Sequence, residues 1–191
     1  MYQKYSTDAL VLGSREQGEA DRTYLFYTYD FGLVRARASA VRSEKSKMRY
    51  ALQNYSLVTL SLVKGKRGWR AAGASSLQGV ATTSSPRGVS AFARIAELTE
   101  RLVQGEGENR YLFETLKEAH GALLGGGEAL PTIEIMCVAR VLFALGYISA
   151  EALGTAIFTH TDYALEHVNE AEGLKEKLLY SINRAISETH L

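Results

Sequence analysis

The spacing of apolar residues changes once along this chain, and that change limits the possible folds more than any other feature. Before residue 80, apolar and β-branched residues alternate in short runs, as they do in strands. After residue 88, apolar residues recur three and four positions apart, which is the helical period. The segment between them is small and polar and contains a proline. We therefore predict an α+β chain with a strand-rich domain over 1–80, a linker over 81–88 and an α-helical domain over 89–191.

Five short strands are predicted in the first domain. The segment 55–63 alternates most clearly, and the glycine-flanked turn 64–68 separates it from the next strand. Five strands within about 80 residues fit a small closed β-barrel. One helical turn is expected near 48–52. The predicted strands are residues 9–12, 22–28, 33–41, 55–63 and 69–77.

The second domain is predicted to form around one apolar helix, residues 133–145. Pro131 suits its first turn and Gly146 suits its C-terminal cap. Cys137, the one cysteine of the chain, lies in this helix. It cannot form an internal disulfide or a four-cysteine zinc site, so we expect a buried, unreactive thiol.

Net charge differs sharply between the two predicted domains. Residues 1–80 carry 13 Lys and Arg against 6 Asp and Glu, whereas residues 81–191 carry 9 against 15. A basic first domain favours a polyanionic partner, although part of such an imbalance can arise by chance. No apolar run approaches the roughly 18 residues of a membrane span, and the first residues lack a signal segment. A cytoplasmic, nucleoid-associated protein with no membrane partner is expected.

Basic residues gather in two segments of the first domain, 35–49 and 64–70. Arg35 and Arg37 lie two apart on a predicted strand and therefore share a face. Cations at strand ends and turns suit phosphate contact. The predicted phosphate contacts are Arg35, Arg37, Arg42, Lys45, Lys47, Arg49, Lys64, Lys66, Arg67 and Arg70.

Aromatic residues accompany these cations and can stack unpaired bases. Tyr50, Tyr55 and Trp69 are the candidates, and Trp69 is preferred because Arg67 and Arg70 flank it. The alternatives are that the basic runs are only a solvated face and that the aromatic rings belong to the core.

Signals for catalysis or metal binding are weak. The chain has no glycine-rich phosphate loop and no Gly-x-Ser-x-Gly motif. Glu19 and Asp21 are better explained as a turn in which Asp21 caps or pairs with an arginine. No catalytic residue, metal or cofactor is therefore predicted. The residues considered and set aside as metal ligands are His160, Asp162, Glu166 and His167, whose spacing does not match a His-Glu-x-x-His helix.

Five segments carry a resemblance to known proteins: residues 9–22, 31–38, 46–60, 64–69 and 141–147. In this order they resemble segments of one protein family, the RecO proteins. The resemblance is close over residues 1–80 and looser over the helices. Many RecO proteins carry a four-cysteine zinc module after the central helix, and the segment following Gly146 contains no cysteine here, so that module is expected to be absent or reduced.

The resemblance implies an OB-fold barrel followed by an α-helical domain. It implies binding of single- and double-stranded DNA, annealing of complementary strands and help in loading the recombinase, without catalysis. The implied partners are RecR and the acidic C-terminal tail of the single-strand-binding protein. An adaptor that binds those proteins without acting on DNA, and a nuclease using Glu19 and Asp21, are the alternatives. The candidate partner-binding residues are Arg94, Arg101 and Arg140, which could equally form ion pairs on helix surfaces.

Overall fold

A computed structural model describes residues 3–188, apart from the side chain of Ala152. Its described residues form two compact units. The first extends to Thr82 and also includes Gln104–Arg110, and the second comprises Thr83–Val103 and the residues from Tyr111 onward. The last residues of the predicted helical domain, 189–191, lie outside the described part.

The first unit is a closed five-stranded barrel in the order β1-β2-β3-β5-β4, which confirms the predicted OB-fold barrel. All neighbouring strands are antiparallel except β3 and β5, which are parallel. A short helix, α1 (Met48–Ala51), lies between β3 and β4. The strands are β1 (Lys4–Gln17), β2 (Asp21–Thr28), β3 (Gly32–Ala38), β4 (Leu57–Gly65) and β5 (Gly68–Gln78).

Strand β1 is much longer than the predicted segment 9–12 because it pairs with two neighbours. Its first half pairs with β4 and its second half with β2, and the register shifts between Val11 and Gly13. Such an irregularity bends a strand, which allows one strand to close a small barrel. The interior is filled by alternate residues of the strands, including Phe26, Val34 and Leu60.

The second unit contains six helices among the described residues. Helix α2 begins at Pro86, inside the predicted linker, because Ser85 caps it by accepting a hydrogen bond from the Gly88 amide at 3.2 Å. Helix α4 is the predicted central helix and contacts α2, α6 and α7. The helices are α2 (Pro86–Leu102), α3 (Arg110–Gly125), α4 (Leu130–Ala144), α5 (Ala150–Leu153), α6 (Leu165–Gly173) and α7 (Lys175–Glu188).

Candidate nucleic-acid interface

Strand β3 presents two arginines on the outside of the barrel. Its residues alternate strictly, so that Val34 and Ala36 are buried while Arg35 and Arg37 are exposed. The predicted shared face of the two arginines is therefore confirmed.

The parallel pairing of β3 with β5 brings a third arginine to the same face. Arg37 lies opposite Arg70, and Ala36 lies opposite Trp69. Arg70 is exposed, while its neighbour Trp69 points inward. These two arginines are distant in sequence, and only closure of the barrel makes them neighbours.

The turn between β4 and β5 adds two further cations. Lys66 and Arg67 are exposed and line the same concave surface as the three strand arginines, a cleft of about 760 Å³. We call this surface the arginine cleft, defined by Arg35, Arg37, Lys66, Arg67 and Arg70.

One carboxylate of the chain neutralises part of this charge. Nε of Arg37 donates to Oδ2 of Asp21 at 2.8 Å, and the Ala40 amide donates to Oδ1 at 2.7 Å. Both hydrogen bonds hold the pKa of Asp21 below its usual value, and the bond from the Ala40 amide has the larger effect. The predicted capping or pairing role of Asp21 is thus confirmed. Within residues 3–188, by contrast, Lys66, Arg67 and Arg70 have no ion-pair partner.

Trp69 is not available to stack a base, which corrects the sequence prediction. Only 7% of the residue is exposed. Its ring packs against Tyr5 and Phe31 at centroid distances of 5.5 and 5.2 Å, and its Nε1 donates to Oε1 of Glu106 at 2.8 Å. Strand alternation contained the signal: if Arg70 points outward, Trp69 must point inward.

Lys64 is also engaged within the chain. Its Nζ donates to Oε2 of Glu106 at 2.9 Å and lies 4.8 Å from the centroid of the Trp69 ring. The Lys64 hydrogen bond is the main reason why the pKa of Glu106 lies below its usual value. Lys64 is therefore not a free cation for phosphate binding, unlike the sequence prediction.

The remaining predicted cations lie in the segment between β3 and β4. Lys45 and Lys47 are exposed, whereas Arg42 pairs with Glu16 at 3.4 Å and Arg49 lies against Tyr50.

Arg42 and Arg49 line a second cleft, of about 720 Å³, together with Arg22 of β2. Sequence reasoning missed Arg22 because its participation depends on the pairing of β1 with β2. Of the ten predicted cations, five line the arginine cleft and two, Arg42 and Arg49, line the second cleft. The linings of these two clefts do not include Lys45, Lys47 or Lys64.

The three candidate partner-binding arginines of the helical unit differ completely in environment. Arg140 is fully buried, and it donates to the carbonyls of Ile157, Thr161 and Asp162 at 2.7–3.0 Å. It therefore has a structural role, which corrects the prediction. Arg94 is exposed but forms two hydrogen bonds with Glu134, and Arg101 is exposed.

The histidines considered as metal ligands are engaged with one another and with a carboxylate. The rings of His160 and His167 stack at 4.5 Å, and Nδ1 of His167 lies 2.8 Å from Oδ1 of Asp162. In the part of the chain that the structure describes, no group of three or more metal-ligating side chains is found.

No helix within residues 3–188 combines the length and the apolar character that a membrane crossing requires.

Comparison with known proteins links the barrel to one family. Residues 1–72 match the family model described as the recombination protein O N-terminal domain. Proteins named DNA repair protein RecO are similar to this chain over segments of 62 to 129 residues. That of Desulfitobacterium hafniense is 40% identical over 62 residues, which are 32% of this chain and 23% of the relative.

Two other relatives extend the similarity beyond the barrel. The protein of Pelotomaculum thermopropionicum is 32% identical over 129 residues, covering 65% of this chain and 49% of the relative. That of Dehalococcoides mccartyi is 30% identical over 113 residues, covering 59% and 45%. The matches thus span half or less of the length of these relatives. Over its N-terminal OB-fold barrel, the chain is similar to the proteins of the RecO family.

Proposed function

We propose that this chain acts in DNA repair as a non-enzymatic DNA-binding protein and that it holds the phosphate backbone in the arginine cleft. The observation that carries the proposal is that Arg37 lies opposite Arg70 in the register of β3 and β5. The turn that contains Lys66 and Arg67 lines the same cleft. Strands β2 and β3 and the turn between β4 and β5 are the parts of an OB-fold barrel that commonly bind oligonucleotides.

The chemistry of the cleft favours sequence-independent binding. It offers guanidinium and ammonium groups, which bind phosphate oxygens but carry little information about base sequence. Its aromatic residue, Trp69, is buried in the barrel core. Binding to this cleft should therefore be dominated by counterion release and should weaken steeply with salt.

The finer activities are proposed from the family. We propose that the chain anneals complementary strands and helps to load the recombinase onto single-stranded DNA coated by the single-strand-binding protein. We also propose RecR and the acidic C-terminal tail of the coat protein as partners. Arg94 is the proposed contact for the acidic tail, because it lies in a cleft of the helical unit beside Ala91 and Leu130. The tail would have to displace Glu134, to which Arg94 donates a hydrogen bond.

The test of the DNA site is a triple charge reversal of Lys66, Arg67 and Arg70 to Glu. Binding of labelled single-stranded and duplex oligonucleotides is measured by fluorescence anisotropy over a range of salt concentrations. We expect a loss of affinity on the order of tenfold or more, with a decrease of about 2 to 3 in the slope of log K against log salt.

The matched control reverses three exposed cations of the helical unit, Arg87, Lys177 and Arg184. It changes the net charge equally and should leave the salt slope nearly unchanged. Equal effects of the two triple variants would show that only overall charge matters and would remove the arginine cleft from the proposal. A pull-down of the single-strand-binding protein after nuclease treatment separates direct protein contact from contact through DNA.

A further inference from the structure

The second cleft of the barrel unit has a different chemistry from the arginine cleft. It has a volume of about 720 Å³ and lies where β1 and β2 approach the segment around α1. We call it the α1 cleft, defined by Arg22, Arg42, Arg49, Tyr50, Gln53 and Asn54. Its exposed aromatic ring, that of Tyr50, distinguishes it from the arginine cleft, whose aromatic residue Trp69 is buried.

The α1 cleft has an excess of positive charge. Glu16 pairs with Arg22 at 3.1 Å and with Arg42 at 3.4 Å, so one carboxylate serves two guanidinium groups. Arg49 instead donates to the Tyr50 hydroxyl at 2.7 Å. Nε of Arg22 is buried and has no hydrogen-bond acceptor within the described residues. An anionic group can therefore bind a guanidinium group here while some of the pairs within the cleft remain formed.

Tyr50 supplies a stacking surface that the arginine cleft lacks. It is 63% exposed, whereas Trp69 is 7% exposed. The guanidinium carbon of Arg49 lies 4.7 Å from the centroid of the Tyr50 ring, within the range of a cation–π contact. A single exposed tyrosine is common on protein surfaces, but here it borders a cationic cleft. Both the aromatic ring and the guanidinium plane are surfaces on which nucleobases stack.

Two amide side chains complete the cleft. Gln53 and Asn54 are exposed, and Oδ1 of Asn54 accepts a hydrogen bond from the Ser14 hydroxyl at 3.1 Å. This bond orients the amide and leaves its NH₂ group available as a donor. Amide groups hydrogen-bond the edges of bases, and the Watson–Crick edge is accessible only in unpaired bases.

Two strained residues hold the chain segments that line this cleft. Ala40 and Tyr55 are the non-glycine residues with positive φ, +53° and +64°, among residues 3–188. Ala40 donates to Asp21, and the Tyr55 amide donates to the Val11 carbonyl at 2.7 Å. L-residues seldom adopt this conformation, and it is retained where the surrounding bonds impose it. The cleft is thus built from segments whose backbone is fixed at both sides.

We propose that the α1 cleft binds an unpaired nucleotide of single-stranded DNA, with the base stacked on Tyr50 and the phosphate held by Arg42 and Arg49. The proposal rests on the proposed DNA-binding function and gives the barrel two sites with distinct tasks. The arginine cleft binds backbone of either single or double strands, whereas the α1 cleft distinguishes unpaired bases from paired ones.

The test compares Tyr50→Ala with Tyr50→Phe and with the control Tyr180→Ala, which removes an exposed tyrosine of the helical unit. Affinities for labelled oligothymidylate and for a labelled duplex are measured by anisotropy. We expect Tyr50→Ala to weaken binding of the single strand roughly tenfold, because stacking on one aromatic ring is lost. Tyr50→Phe and Tyr180→Ala should bind nearly as the unaltered chain does, and all three should bind the duplex normally.

A second measurement does not depend on how well any variant folds. Oligothymidylate carrying 5-iododeoxyuridine is irradiated with the unaltered chain, and the cross-linked tryptic peptide is identified by mass spectrometry. We expect the peptide of residues 50–64.

Each outcome separates the two proposals. One outcome is that the unaltered chain binds single strands, that the charge reversal in the arginine cleft weakens this binding, and that the cross-link lies outside residues 50–64. The proposed nucleotide site would then be wrong, while the proposed DNA binding would stand. The same holds if Tyr50→Ala binds oligothymidylate normally or weakens duplex binding equally. If the unaltered chain binds neither DNA, both proposals are wrong.

Discussion

The indole nitrogen of Trp69 donates a 2.8 Å hydrogen bond to Oε1 of Glu106, a residue of the segment that joins α2 to α3. The second oxygen of Glu106 accepts from Lys64. The segment Gln104–Arg110 belongs to the barrel unit, and the Gly107 amide also donates to the Phe31 carbonyl at 3.2 Å. The Glu106 carboxylate therefore accepts a hydrogen bond from the nearly buried indole N–H of Trp69. It also neutralises Lys64, which the sequence predicted to bind phosphate.

Replacement of Glu106 by Gln should raise DNA affinity. Gln still accepts a hydrogen bond from Trp69, but it no longer neutralises Lys64. We expect severalfold tighter binding at low salt and an increase of about 1 in the salt slope, since one more cation becomes available. Anisotropy titrations at several salt concentrations provide the measurement. An unchanged slope would show that Lys64 does not reach DNA even without its partner.

The same carboxylate should make barrel stability depend on acid pH. The folded-state pKa of Glu106 is lowered from its usual value of 4.5, chiefly by the Lys64 hydrogen bond, so the ionised form is favoured in the folded chain. Its contribution is therefore fully present above the usual pKa and is lost as the pH falls through the lowered pKa.

The measurement is urea unfolding followed by fluorescence of Trp69, the one tryptophan of the chain. We expect the unaltered chain to be more stable than Glu106→Gln at neutral pH and the difference to shrink below about pH 4. A difference that stays constant across this range would contradict the assignment.

Gly32 should tolerate no side chain, for a reason beyond its backbone angle. Its φ is +62°, and a Cβ atom there would lie 2.1 Å from the carbonyl oxygen of Gly107. Gly18 is a matched control, because its φ is +66° but nothing lies within 4 Å of the added atom.

We expect Gly18→Ala to cost about 1 kcal/mol, the strain of a positive φ, and Gly32→Ala to cost at least about 1–2 kcal/mol more. Urea unfolding followed by Trp69 fluorescence provides the comparison. Equal costs would mean that Gln104–Arg110 is not held against the barrel.

Arg140 should be necessary for stability of the helical unit, unlike the exposed Arg101. Replacement of Arg140 by Met keeps much of the volume but leaves three carbonyl groups without their charged donor. We expect a loss of roughly 3 kcal/mol or more, against less than about 0.5 kcal/mol for Arg101→Met. Thermal and urea unfolding followed by circular dichroism at 222 nm measures both. Similar stabilities of the two variants would contradict the buried position of Arg140.

Cys137 should be inert in the folded chain. The residue is fully buried, and burial raises the pKa of its thiol to about 12. Since the thiolate is the reactive form, a thiol reagent such as dithionitrobenzoate should react slowly at pH 8 in buffer and rapidly in urea. Rapid reaction in buffer would indicate frequent opening of the helical unit.

Prediction from sequence succeeded where a pattern repeats over neighbouring residues. Alternation placed Arg35 and Arg37 together on β3, and the apolar run 133–145 located the central helix α4. It failed where the environment depends on distant residues. Trp69 was judged by its neighbours Arg67 and Arg70, whereas Tyr5, Phe31 and Glu106 decide its burial.

The linear order of residues was enough to determine that a basic strand-rich unit precedes a helical one, because strand and helix periods and net charge are local properties. Tertiary structure alone decided which cations share a cleft. Arg37 meets Arg70 only because β3 and β5 close the barrel in parallel, and Lys64 is neutralised by a carboxylate of a much later segment. Charges interact through space over a few ångströms, and no period along the chain records which distant residues come that close.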